Sequence, residues 1–151
     1  PLAGPANKQG RIVANNICGM EEHYKGVLGT SIVRLFDQVV ASTGINEKKL
    51  ENSGQKKDRD YFVVKIDAPS HAAYLPDSQK MHIKVLFETG SKRALGAQVV
   101  GKKGVDKKID ALATLIYFKG TVDDLKNIDY AYSPPFSSAK DALNIVGYVG
   151  E

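Results

Sequence analysis

Between residues 81 and 88 the chain alternates: Met81, Ile83, Val85 and Phe87 fall on one side, His82, Lys84, Leu86 and Glu88 on the other. A period of two with one mainly apolar column predicts a strand laid against a core. Residues 61–67 and 94–100 predict two further strands, the second turned by Gly90 before it and Gly101 after it. Residues 27–42 carry Ile32, Val33, Leu35, Phe36, Val39 and Val40, largely β-branched or aromatic. They predict strand in two halves, closed by Thr43-Gly44.

Helical spacing appears elsewhere. Residues 105–118 place Ile109, Leu112, Ala113, Leu115 and Ile116 on or near one face, the best helix pattern in the chain. Residues 6–18 form a thinner stripe of Ile12, Val13 and Ile17, with Pro5 suited to the first turn and Gly19 to the stop. Asn46 predicts the N-cap of a short helix, with Ile45 and Leu50 as its hydrophobic staple and Ser53-Gly54 as its end. Thr121 caps another short helix through Lys126, with Asp124 as its capping-box partner. A last helix is expected from about Ala139, capped by Ser137 or Ser138 and carrying Leu143 and Val146 inward. Strands in a run with helices gathered around them predict an α+β fold, a mainly antiparallel sheet with helices packed on it.

Two connections stand out by their stiffness. Residues 68–77 contain two prolines and Tyr74. Residues 130–136 contain Pro134-Pro135, which restrict their own φ and the residue before each, so Tyr132 and Phe136 flank a rigid, extended corner.

At 151 residues the chain is long enough for one domain with a real core. It has no apolar run of the roughly 18 residues that a membrane span needs, and no secretory leader pattern. Of the lysines behind the net charge of +4, many fall in short pairs, Lys107-Lys108 among them, that read as solvated surface without interleaved aromatics, so no nucleic-acid partner is expected. A single cysteine, Cys18, excludes an internal disulfide framework and fits a reducing cytoplasm. Pro1 is not an initiator methionine, and the chain reads as cut from something longer.

Self-sufficient chemistry is missing from the pattern. Cys18 at a helix carboxyl end meets the wrong end of the dipole for an activated thiolate and reads as structural. His23, His71 and His82 have no metal-ligand spacing; His82 reads as solvated and His71 as a surface turn residue. Gly101-Lys-Lys-Gly104 sits between strand and helix but lacks the third glycine of a dinucleotide turn.

The segments from Pro1 to Arg11, Gly29-Thr-Ser-Ile32 with Phe36-Asp37, Ser70-His-Ala-Ala-Tyr74, Gly96-Ala-Gln-Val-Val-Gly101, Val105-Asp-Lys-Lys-Ile-Asp110 and the run from Ala131 to Lys140 occur in this order. Together they resemble the carboxyl-terminal third of the FAD-dependent pyridine nucleotide–disulfide oxidoreductases. The nearest branch holds CoA-disulfide reductases, NADH oxidases and peroxidases, and CoA-persulfide reductases. The resemblance covers essentially the whole chain.

It implies residues 1–22 as the end of an FAD domain and residues 23–151 as a dimerisation domain. FAD, NAD(P)H and the family's redox cysteine would belong to the full-length protein, so this fragment alone is expected to bind no cofactor or metal and to be inactive. The resemblance places Leu2, Ala3, Gly4 and Ala6 near the flavin's pyrimidine edge, at the amino end of the first helix. It also implies a homodimer in which Tyr74 and Tyr132 reach the partner's active cysteine and a CoA-linked sulfur substrate. In an oxidase or peroxidase member the tyrosines would instead be structural. An autonomous binding protein is the third possibility, expected as a stable monomer.

Overall fold

The computed structural model describes residues 2–151; Pro1, which opens the first segment of the resemblance, lies outside them. In chain order the elements are α1 (Ala3–Ile17), β1 (Ser31–Leu35), β2 (Gln38–Gly44), α2 (Glu47–Asn52), β3 (Tyr61–Pro69), β4 (Lys80–Glu88), β5 (Ala94–Gly101), α3 (Val105–Tyr117), α4 (Val122–Asn127) and α5 (Ala142–Val149). The strands form one five-stranded sheet in the order β1-β2-β5-β4-β3, and every pairing between them is antiparallel. This is the expected α+β class.

The alternation in β4 sets the core. Met81, Ile83, Val85 and Phe87 are almost wholly buried and pair across the sheet with Ala68, Ile66, Val64 and Phe62. The Phe62 and Phe87 rings stack at 5.3 Å between centroids. On that face lie Val105, Ile109, Leu112 and Leu115 of α3, Val122 and Leu125 of α4, and Leu143 and Val146 of α5. Leu86, in the polar column of β4, is buried too. It meets Tyr61 and Leu50 in a small second cluster beneath α2, so the opposite face is covered locally.

Caps mark the helix starts. Asn46 accepts the Lys49 N–H, and Thr121 and Asp124 form the reciprocal capping box. The 27–42 run resolves into a hairpin, β1 and β2, turning at Phe36-Asp37 with Phe36 at a φ of 56°.

Three starts differ clearly from expectation, and the first is β1, which opens at Ser31 rather than at residue 27. α1 begins at Ala3 rather than at residue 6, because Pro5 in the first turn removes an N–H that has no helical partner anyway. The last helix begins at Ala142, not near Ala139, and its cap is Asp141, whose carboxylate accepts the Leu143 N–H at 2.9 Å. Ser137, expected as the cap, donates its own hydroxyl to that carboxylate at 2.6 Å. An aspartate with one oxygen free for the helix and the other for a serine outcompetes the serine as cap.

Candidate functional site

The loop between β3 and β4 is laced together by Ser70 and His71. Ser70 N–H donates to the Gln79 carbonyl at 2.8 Å, and Gln79 N–H returns to Ser70 Oγ at 3.1 Å. His71 is buried, with Nε2 3.1 Å from the Pro76 carbonyl and Nδ1 3.1 Å from Ser70 Oγ. A carbonyl only accepts, so Nε2 carries the proton, and in neutral imidazole Nδ1 accepts from the serine hydroxyl. Ser78 Oγ closes the loop onto the His71 carbonyl at 3.2 Å. His71 is thus an internal staple rather than a surface turn residue. A histidine amid small residues and prolines needs a tertiary partner to be recognised as such. His82 is exposed as expected, and pairs with Asp67 across the β3–β4 ladder.

The staple holds Tyr74 outward, 76 % exposed, while Tyr132 stands 50 % exposed on the second loop. That loop does not run extended through its prolines. Ser133 accepts from the N–H of Phe136 at 2.8 Å and of Ser137 at 3.2 Å, so Pro134, Pro135 and Phe136 form a closed turn. Proline at the second position of a turn is pre-set for it, which an extended reading of the pair overlooks.

One backbone bond joins the two loops: Ala72 N–H donates to the Pro134 carbonyl at 3.1 Å. The two phenols are neighbours as a result. Partial burial raises the Tyr74 pKa, and the adjacent Tyr132 phenol adds to the rise, so Tyr74 keeps its proton. Tyr130 is different in kind: it packs half-buried against the core, and burial together with the Asp141 charge pushes its phenol up strongly.

Behind the turn sits Lys108, which with Lys107 reads from sequence as solvated surface lysine but is buried. The Lys108 ammonium meets Asp141 Oδ2, with side chains only 4 % and 2 % exposed. Burial lowers the lysine's pKa, an effect its partner only partly offsets. Burial pushes the Asp141 carboxyl up, but hydrogen bonds from Lys108, Ser137 and the Leu143 N–H outweigh it and hold the group below its ordinary range. A signal was available: Lys108 falls between Val105 and Ile109 on the apolar face of α3, where a charge requires a partner.

The other expected residues lie at the amino end of α1. Leu2, Ala3 and Ala6, with Pro5, Gln9, Tyr24 and Val27, line a recess of about 630 Å³; Gly4 does not line it. Leu2 gives no side-chain cap and the first turn holds no acid. A Cβ on Gly4 would meet nothing within 4 Å, so the packing of this chain does not demand glycine there. No hydrogen bond joins this end of α1 to the tyrosine loops among the described residues. α1 buries none of its side chains, and exposed Cys18 forms its C-cap. Among the described residues, no group of three or more His, Cys, Asp or Glu gathers as a metal site, and no helix is long and apolar enough to cross a membrane.

Known proteins resemble this chain in architecture and sequence. Residues 30–143 match the family described as pyridine nucleotide-disulphide oxidoreductase, dimerisation domain. Coenzyme A disulfide reductase of Staphylococcus epidermidis is 40 % identical over 149 residues, covering 98 % of this chain and 33 % of that protein. The crystal structure of reduced CoADR-RHD from Bacillus anthracis superimposes with a TM-score of 0.92 at 46 % identity, covering 99 % of this chain and 26 % of that one. An NAD-dependent persulfide reductase from A. fulgidus gives a TM-score of 0.92 at 40 % identity, covering 99 % and 27 %. The water-forming NADH oxidase of Lactobacillus brevis gives 0.90 at 25 %, covering 99 % and 32 %. The chain spans about a third of the length of the curated relatives it matches. By sequence match over most of its length, it belongs to the pyridine nucleotide-disulphide oxidoreductase dimerisation-domain family.

Proposed function

We propose that this chain is the interface part of a homodimeric flavoprotein that uses NAD(P)H to reduce CoA disulfide, CoA persulfide or a related sulfur substrate. In this reading residues 1–22 end an FAD domain and residues 23–151 form the dimerisation domain. The division is supported by α1, which has no buried residue, and by the family match, which begins at residue 30. Tyr74 and Tyr132 act across the dimer, at the partner's sulfur site. The observation that carries this role is the Ala72–Pro134 bond, which makes neighbours of two exposed phenols 58 positions apart (132 minus 74).

The chemistry of such a pair follows from acidity. A thiol has a pKa of about 8.5 and a phenol about 10, and Tyr74 lies higher still, so complete proton transfer to a departing thiolate is uphill. The phenols therefore serve as hydrogen-bond donors to sulfur as negative charge develops on it, keeping their own protons.

The amino end of α1 fits an electron-rich group. The N–H groups of Ala3 and Gly4 have no carbonyl to bond within the helix, Pro5 has none, and no carboxylate competes for the end. Bound there, FAD would supply the redox chemistry. Leu2, Ala3, Gly4 and Ala6 would lie against it, the small side chains of Ala3, Gly4 and Ala6 leaving the backbone approachable.

The test uses the full-length parent enzyme carrying Tyr74→Phe and Tyr132→Phe. Turnover of CoA disulfide or persulfide is expected to fall by about 100-fold, the scale for losing a donor aimed at developing charge. Reduction of the flavin by NAD(P)H should be untouched. Unchanged turnover leaves the tyrosines as packing groups only. The likeness to the Lactobacillus brevis NADH oxidase carries a second reading, an O₂-reducing enzyme with structural tyrosines. NADH oxidation under air, set against anaerobic assay with CoA disulfide, separates the two. Sedimentation as a stable monomer at all concentrations would count against the dimer.

A further inference from the structure

We propose that Lys108 and Asp141 are a positioning pair for Tyr132, a role that rests on the reading of Tyr132 as a working donor. A lysine buried to this degree is rare unless paired, and a pair of apolar side chains of similar volume would hold the helices together at least as well. What apolar packing lacks is direction. Asp141 uses both carboxylate oxygens, and each reaches a different element. Oδ2 takes the Lys108 ammonium from α3 and the Ser137 hydroxyl from the end of the turn, at 2.6 Å; Oδ1 takes the Leu143 N–H of α5, at 2.9 Å.

Ser137 transmits this to the tyrosine. Its N–H is bonded to the Ser133 carbonyl at 3.2 Å, so the residue after Tyr132 is tied by one serine to the buried carboxylate. On the other side of Tyr132, Lys107 Nζ lies 3.5 Å from the Ala131 carbonyl, so adjacent lysines of α3 address both flanks. The Pro134 carbonyl then passes the same constraint to the Tyr74 loop through Ala72. A turn seated in any other way would withdraw the Ser137 hydroxyl from a buried carboxylate oxygen and leave that oxygen short of a donor. The pair, acting through the Ser137 hydroxyl, therefore favours one seating of the turn, and with it one placement of the Tyr132 backbone.

The test is a double-mutant cycle in the full-length parent, pairing Lys108→Met with Tyr132→Phe. If Lys108 acts through Tyr132, Lys108→Met lowers kcat for CoA disulfide by about 10-fold or more and costs little further once Tyr132→Phe is present. A loss that persists in full in the Tyr132→Phe background, or no loss at all, overturns the proposal. The double variant Lys108→Met/Asp141→Asn removes both charges while keeping a capping side chain, and guards against a single variant that fails to fold. In that variant, amide hydrogen exchange at Phe136 and Ser137 is expected to accelerate by about 10-fold while β4 and β5 stay protected. Uniform acceleration, or none, overturns the positioning role. Should Tyr132→Phe itself leave turnover unchanged, the sulfur-site reading fails, and the exchange pattern alone decides whether the pair seats the turn.

Discussion

Helices α1 and α3 carry apolar stripes of the same period and meet opposite fates. α3 buries Val105, Ile109, Leu112 and Leu115 against the sheet, and even Lys108 against Asp141; α1 has no buried residue, and Val13 and Ile17 stand exposed. Periodicity sets which face a helix is able to bury. Burial itself needs a complementary surface within reach, and β2 and β5 offer one to α3 alone. The same difference separates the two candidate site regions. The Tyr132 turn is anchored by its own chain, whereas the amino end of α1 presents backbone groups held by nothing else in it.

The comparison breaks most visibly at the ion pair under α3. Asp141→Ala is expected to cost about 3–5 kcal/mol in urea denaturation, because it leaves Lys108 buried without an anion. Next, Leu112→Ala should cost about 2–5 kcal/mol, the range for emptying a packed leucine site. The matching change in α1, Ile17→Ala, should stay within about 0.5 kcal/mol in this chain. Equal costs for the two would refute the contrast.

Glycine substitutions give a finer test with opposite signs. A Cβ on Gly147 of α5 would come within 2.5 Å of the Lys126 backbone nitrogen, so Gly147→Ala should destabilise by about 1–3 kcal/mol. Gly10 of α1 has nothing within 4 Å, so Gly10→Ala should favour that helix by about 0.5–1 kcal/mol, read as increased far-UV helicity.

The smallest effect is in pH. Because the folded Asp141 carboxyl lies below its ordinary value of 3.8, its contribution is complete above that value. It is lost as pH falls through the lower, folded value. The Asp141→Asn variant should accordingly show a flatter acid limb than the parent chain in denaturation across that window.

Much of the architecture was legible in residues 81–88, 105–118 and 121–126, where period, caps and breakers agree. The tyrosine loops were legible as stiff, and the family resemblance picked out their two phenols. The turn at Pro134-Pro135 was misread as extended although proline suits the second position of a turn, and Ser137 was misread as a cap because its hydroxyl goes to Asp141 instead. His71 and Lys108 were both misread as surface residues, because each is a polar residue whose meaning lies in a partner it reaches only after folding.

By itself, then, the sequence determined the identity and order of the elements, the α+β class and the two rigid loops. These follow from side-chain period, capping and restricted φ, which act over a few neighbouring residues. Tertiary structure alone decided that β5 lies between β2 and β4, that Ala72 bonds Pro134, and that Lys108 finds Asp141 33 positions away. Those choices depend on which backbone groups and charges burial leaves facing one another, and that is settled only when the whole sheet has formed.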